Sequence, residues 1–101
     1  MSKAEAVMVK KIIKKALEER FIGRELVGAD EDSLRERLLE EVNAVLVDAT
    51  HGMCEVAEGD VEMGGTWMRI YCEDGGFKDV LEVELEGETE VRVKVKSVRI
   101  I

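Results

Sequence analysis

The 101-residue chain has no proline and no glutamine, a single asparagine (Asn43) and a single histidine (His51). Its aromatics are only Phe21, Trp67, Tyr71 and Phe77, and its cysteines only Cys54 and Cys72. No apolar run approaches the roughly 18 residues of a membrane span, so an integral membrane helix is excluded. The first residues lack the apolar core and small-residue cleavage site of a secretory signal, which makes the cytoplasm the expected address. Depletion of the thermolabile amides beside abundant Glu and Lys fits a thermophile. The missing proline argues the other way, since thermophiles often stiffen loops with it; the balance favours a thermophile. One histidine, and no phosphate loop, dinucleotide glycine pattern, nucleophile elbow or zincin helix, leave enzyme activity unsupported.

What is present is charge. Fifteen basic and 23 acidic residues give a net charge of -8. The distribution is uneven. Residues 1–24 hold seven basic and three acidic residues, net +4, whereas residues 25–90 carry net -16. A chain this acidic is not a general binder of nucleic acid or anionic lipid, because the phosphate field repels it. Its apolar share of 46% is ordinary for a folded domain, and the length suits one domain over residues 1–101.

Hydrophobic periodicity supplies the elements. Ser2-Lys3-Ala4-Glu5 reads as a capping box, and Met8, Val9, Ile12, Ile13, Ala16 and Leu17 follow at helical spacing. A first helix is expected over about 3–21, stopped by Gly23. Arg24 to Ala29 connects, with a short extended piece at Leu26-Val27. Asp30-Glu31-Asp32-Ser33 carries capping side chains and negative charge suited to a helix start, and Leu34, Leu38, Leu39 and Val42 form one stripe. The second helix is expected over about 32–42. Everything after Asn43 reads as strand: Ala44-Val45-Leu46-Val47, Met53 to Ala57, Thr66 to Cys72, Lys78 to Glu86 and Glu90 to Ile101. Glu73-Asp74-Gly75-Gly76 is a strong turn. In the last hairpin, pairing Glu84 with Arg92 and Glu82 with Lys94 keeps Leu85 opposite Val91. Parity breaks at Ser97, which suggests a β-bulge near Lys96-Ser97. Helices followed by strands favour α+β. The expected architecture is two N-terminal helices on one face of a five- or six-stranded, mainly antiparallel sheet, in the order ααβββββ.

Three sets of residues could carry function. First, the acidic, glycine-containing stretches Glu58-Gly59-Asp60-Val61-Glu62 and Glu73-Asp74-Gly75-Gly76-Phe77-Lys78-Asp79 read as turns. Their carboxylates Glu58, Asp60, Glu62, Glu73, Asp74 and Asp79 could offer oxygen ligands to Ca²⁺, which takes six to eight of them. Solvated turn charge is the plain alternative, and neither stretch is an EF-hand. Second, Lys10, Lys11, Lys14 and Lys15 lie on one side of the first helix. They form either a contact for an acidic partner or a solvated face. Third, Trp67 and Tyr71 share a strand face opposite Met68 and Ile70, with Arg69 between them. They are core if a helix covers that face and a contact surface if none does. His51, with Asp48 beside it and Cys54 three residues on, could serve as a general base or a metal ligand, or be a loop histidine with no role. Cys54 and Cys72 could be buried thiols or a disulfide.

The Lys-rich first helix, the second helix capped by Asp30-Glu31-Asp32 and the acidic strands together resemble the small, acidic, uncharacterised α+β proteins of methanogenic and thermophilic archaea. Some of those are described as calcium-binding. The resemblance rests on size, charge and element order, and it carries no site residue over. It adds weight to the residue-based reading of a non-catalytic protein that binds Ca²⁺ weakly at the acidic turns. The alternative is a protein-interaction module, using the Lys-rich helix or the Trp67/Tyr71 strand to meet a protein partner or a second copy.

Overall fold

The computed structural model describes the backbone of residues 3–62, 65–74, 77–85 and 92–100, and the side chains of 7–59, 66–72 and 92–100. Ser2 of the capping box, Gly75 and Gly76 of the expected turn, and residues 86–91 of the expected last hairpin lie outside the described residues. The elements are α1 (Lys3–Phe21), β1 (Glu25–Val27), α2 (Glu31–Thr50), β2 (Cys54–Glu62), β3 (Gly65–Asp74), β4 (Phe77–Leu85), β5 (Arg92–Lys94) and β6 (Val98–Ile100). The class is α+β, as expected from the sequence.

The first helix has its expected bounds. Val9, Ile13, Leu17 and Phe21 recur every fourth residue and are buried, which is the stripe a helix needs to face a core. Gly23 then takes a left-handed φ of 83°, where a side chain would be strained. Its N–H donates to Val95 O at 2.9 Å, and Val95 N–H donates back to Arg24 O at 3.2 Å. The reversal after α1 is thus tied to the chain leaving β5.

The second helix departs from expectation. It continues through Ala44-Val45-Leu46-Val47 to Thr50, where a strand was expected. The reason is burial at fourfold spacing: Leu34, Leu38, Val42, Leu46 and Thr50 all point into the core, so the stripe runs on through the apolar run. A continuous apolar tetrapeptide fits a buried strand and a helix equally well. The helix starts where the cap predicts, with Asp30 Oδ1 accepting from Ser33 N–H at 2.7 Å. It ends at His51, which adopts the left-handed conformation (φ 54°).

The strands form two antiparallel sheets, β1-β5 and β2-β3-β4-β6, rather than one. With β1 between the helices, the order is αβαβββββ. The register expected for the last hairpin is also overturned. Arg92–Lys94 pairs with β1, placing Leu26 opposite Val93, and β4 pairs instead with β6, placing Glu84 opposite Arg99 and Leu85 opposite Val98. Opposite charges still meet, so charge alternation could not distinguish the two registers. The parity break at Ser97 is real, but it marks the passage of the chain from one sheet to the other. Among the described residues the register shifts in β2 instead, between Val56 and Glu58.

One hydrophobic cluster draws on both helices and both sheets, from Ile13 and Leu38 to Val93, Met68 and Ile70. The helices occupy a single side of the four-stranded sheet, the side that carries Met68, Ile70 and Cys72. All three are fully buried.

Candidate functional site

β3 is an interior strand, paired with β2 on one side and β4 on the other. Strand side chains alternate between faces, so burying Met68, Ile70 and Cys72 turns Trp67, Arg69 and Tyr71 to the opposite face. Neither helix covers it. Trp67 is 39% exposed, Arg69 is exposed and Tyr71 is half-buried. The described residues place no helix over this face of the strand.

Three cross-strand rows organise this face. Trp67 is the register partner of Asp60 on β2 and Glu84 on β4. Arg69 lies between Glu58 and Glu82, and Tyr71 between Glu55 and Val80. The described side chains form a real pair in the middle row, where Arg69 Nη1 meets Glu58 Oε1 at 3.2 Å. Both groups are about half exposed, so the pair orients the guanidinium more than it stabilises the fold.

The outer edge of β2 is closed by α2. Asn43 Oδ1 accepts the Val56 N–H at 2.8 Å. Thr50 Oγ1 accepts the Cys54 N–H at 3.0 Å while donating to Leu46 O at 2.6 Å. Edge N–H groups left open invite pairing with another chain. Two helix side chains take up these donors, so this part of the edge is closed to pairing with another strand. Sequence reasoning missed both residues. The available signal was Asn43 itself, the single amide side chain in a chain otherwise stripped of Asn and Gln.

Cys54 and Cys72 are direct register partners and are joined as a disulfide, with S–S 2.08 Å and Cα atoms 4.0 Å apart. Since the Cys54 N–H turns to Thr50, this is the non-hydrogen-bonded kind of antiparallel pair, in which side chains approach most closely. The disulfide removes Cys54 as a metal partner for His51. His51 is exposed at the end of α2. Asp48 lies 4.0 Å from Arg20, a contact between two largely solvated groups.

The first acidic stretch is strand rather than turn, whereas the second spans the end of β3 and the start of β4, with Gly75 and Gly76 between them outside the described residues. Glu58, Asp60 and Glu62 lie within β2, paired along β3. Gly59 is there for contact rather than for a turn: a Cβ on it would sit 2.7 Å from Leu39 Cδ2 and 2.8 Å from Trp67 O. Glu73 and Asp74 end β3, and Asp79 opposes Cys72 on β4. Along β3 the first group stands at the levels of residues 65, 67 and 69 and the second at those of 72 to 74, separations of about 10 to 30 Å at strand rise, so the six carboxylates do not converge on one centre. Among the described residues no group of three or more His, Cys, Asp or Glu could hold a metal ion. The side chains of Asp60, Glu62, Glu73, Asp74 and Asp79 lie outside those residues.

On α1, Lys11, Lys14 and Lys15 are exposed and Lys10 is half-buried. Lys15 Nζ lies 3.9 Å from Glu19 Oε1. Met8 and Ile12 are exposed on the same helix, at 64% and 41%. Among the described residues no helix is long and apolar enough to cross a membrane. The chain matches no family model, no curated protein and no solved structure.

Proposed function

We propose that the protein is a non-catalytic interaction module whose contact surface is the open face of the four-stranded sheet around Trp67 and Tyr71. The observation that carries this reading is the exposure of Trp67 on an interior strand of the sheet, in a chain with four aromatic residues. A small domain gains most by burying a Trp. This chain instead spends Ile70, Met68 and aliphatic side chains on the core and sets its Trp outside. Trp, Tyr and Arg are the residue types that dominate binding hot spots, and here they follow one another on one strand face. The Lys-rich side of α1 is the weaker contact, because long solvated lysines lose side-chain entropy on ordering.

A photo-crosslinking amino acid placed at position 67, and separately at the exposed Val47 of α2, tests the reading in cells that express the protein. A defined crosslinked product is expected from position 67 and not from 47. Equal yields from both positions, or none from 67, would overturn it.

Divalent-cation binding is the second reading, favoured by the hairpin end at which Asp74 and Asp79, from two paired strands, hold positions on one face, with Glu73 on the other. Three carboxylates without a preformed cage would bind Ca²⁺ weakly, on the order of 10⁻³ M. Millimolar Ca²⁺ should then shift backbone amides at Glu73 to Asp79 more than equal Mg²⁺ does. Equal, evenly spread shifts would reduce this reading to screening.

A further inference from the structure

The open face says what kind of partner it fits. Five acidic residues stand at the register positions around Trp67, Arg69 and Tyr71: Asp60 and Glu84 beside Trp67, Glu58 and Glu82 beside Arg69, and Glu55 beside Tyr71. The one guanidinium on β3 is already engaged by Glu58 at 3.2 Å. Glu55 is exposed. An acidic partner would meet like charge on every row, and the net charge of -8 would slow its approach. A neutral apolar partner would have to strip water from the carboxylates without replacing it, which is costly.

We propose that the open face binds a cationic segment of another protein: an extended stretch whose Lys or Arg heads rest on the rings of Trp67 and Tyr71 and reach the carboxylates beside them. This rests on the interaction-module reading and adds the chemistry of the partner. The geometry favours an extended segment. Trp67 and Tyr71 are four residues apart on one strand, about 13 Å at strand rise, so cations four residues apart on a second extended chain match them in step. A cation over an exposed aromatic ring strengthens binding by roughly two- to fivefold per contact. Carboxylates alongside raise the encounter rate and make it fall with salt.

The test uses the full chain with its disulfide intact. The probe is a fluorescein-labelled nine-residue peptide alternating lysine and threonine, with a glutamate–threonine peptide as its counterpart. Binding is read by anisotropy at low and high salt, and the Trp67 indole N–H signal by NMR. The lysine peptide should bind, weaken steeply with salt and move the indole signal. Trp67→Ala and Glu55→Lys should each weaken it about fivefold, whereas Lys11→Glu on the far helix should not. Both weakening variants alter exposed side chains, and Glu55→Lys leaves the aromatics in place. Equal binding of the two peptides, or lysine-peptide binding indifferent to both variants, overturns the proposal. If the glutamate peptide or a rise in protein concentration alone moves the indole signal and the lysine peptide does not, the face is still a contact but its partner is not cationic. If nothing moves it and crosslinking from position 67 fails as well, the interaction reading falls with it.

Discussion

Neighbouring residues of β3 sit in different solvents. Met68, Ile70 and Cys72 have no exposed surface, while Trp67 and Arg69, one step along the same strand, are partly open to water. The first set is apolar and unbranched or β-branched, shaped to pack against α2. The second set is large, amphipathic and flanked by charge. One strand therefore holds the molecule together on one face and, on the proposed reading, offers contact chemistry on the other. The consequence is a separation of effects. Changes on the covered face should act on stability, and changes on the open face on binding.

The strongest test of that separation is the pair Ile70→Ala and Trp67→Ala. Truncating a fully buried Ile should cost about 2 to 5 kcal/mol in denaturant melts. Truncating Trp67, which is 39% exposed, should cost less, on the order of 1 kcal/mol from lost cross-strand packing. Comparable losses from the two would show that the open face is covered in solution.

Cutting the disulfide comes next, because it joins the covered-face positions of β2 and β3. It closes a loop spanning 18 residues in sequence, and chain entropy alone assigns such a loop about 3 kcal/mol. Cys54→Ser with Cys72→Ser should lower the denaturant midpoint accordingly. Reduction of the wild-type chain by a phosphine should reproduce the shift, and wild type and double mutant should then melt alike.

A smaller effect is expected at the edge of β2. Asn43→Ala leaves the Val56 N–H without its partner, at a cost of about 1 to 2 kcal/mol. Amide hydrogen exchange at Val56 should accelerate selectively, while the Met68 and Ile70 amides on the interior strand exchange at their former rate. Uniform acceleration would mean that Asn43 acts on global stability alone.

The smallest effect is far from both faces. The Ser33 N–H bond holds the Asp30 carboxyl below the ordinary carboxylate range. A folded-state pKa below the unfolded one adds stability above the unfolded pKa, and that stability is lost as pH falls through the folded value. Asp30→Asn should flatten a small part of the acid limb of the stability curve, below the ordinary carboxylate range, and leave neutral-pH binding unchanged. An unaltered acid limb would show that the cap is equally satisfied by a neutral side chain.

Much of this molecule was legible in short-range pattern. The bounds of α1, the Gly23 stop, the Asp30 cap and the alternation of residues 66–72 follow from spacing and local chemistry, which adjacent residues impose on each other. The acidic surround of Trp67 was only half legible. Glu58 and Asp60 looked like turn residues because Gly59 reads as a turn signal, and the need for that glycine comes from Leu39, twenty residues earlier in the chain. The Asn43 and Thr50 contacts with the β2 edge were invisible for the same reason: an edge is defined by which strand is missing beside it.

Where the chain had a choice between equivalent local solutions, long-range packing made the decision. Ala44-Val45-Leu46-Val47 can be strand or helix, and it is helix because Leu46 and Thr50 extend a stripe that the sheet already buries. Arg92–Lys94 can meet the glutamates of β4 or the short strand β1. It meets β1, since Leu26 and Val93 bury each other there and Gly23 ties that turn to Val95. Periodicity specifies which residues share a face. Which face is covered, and by what, depends on contacts among residues far apart in the chain, and those contacts leave Trp67 partly exposed.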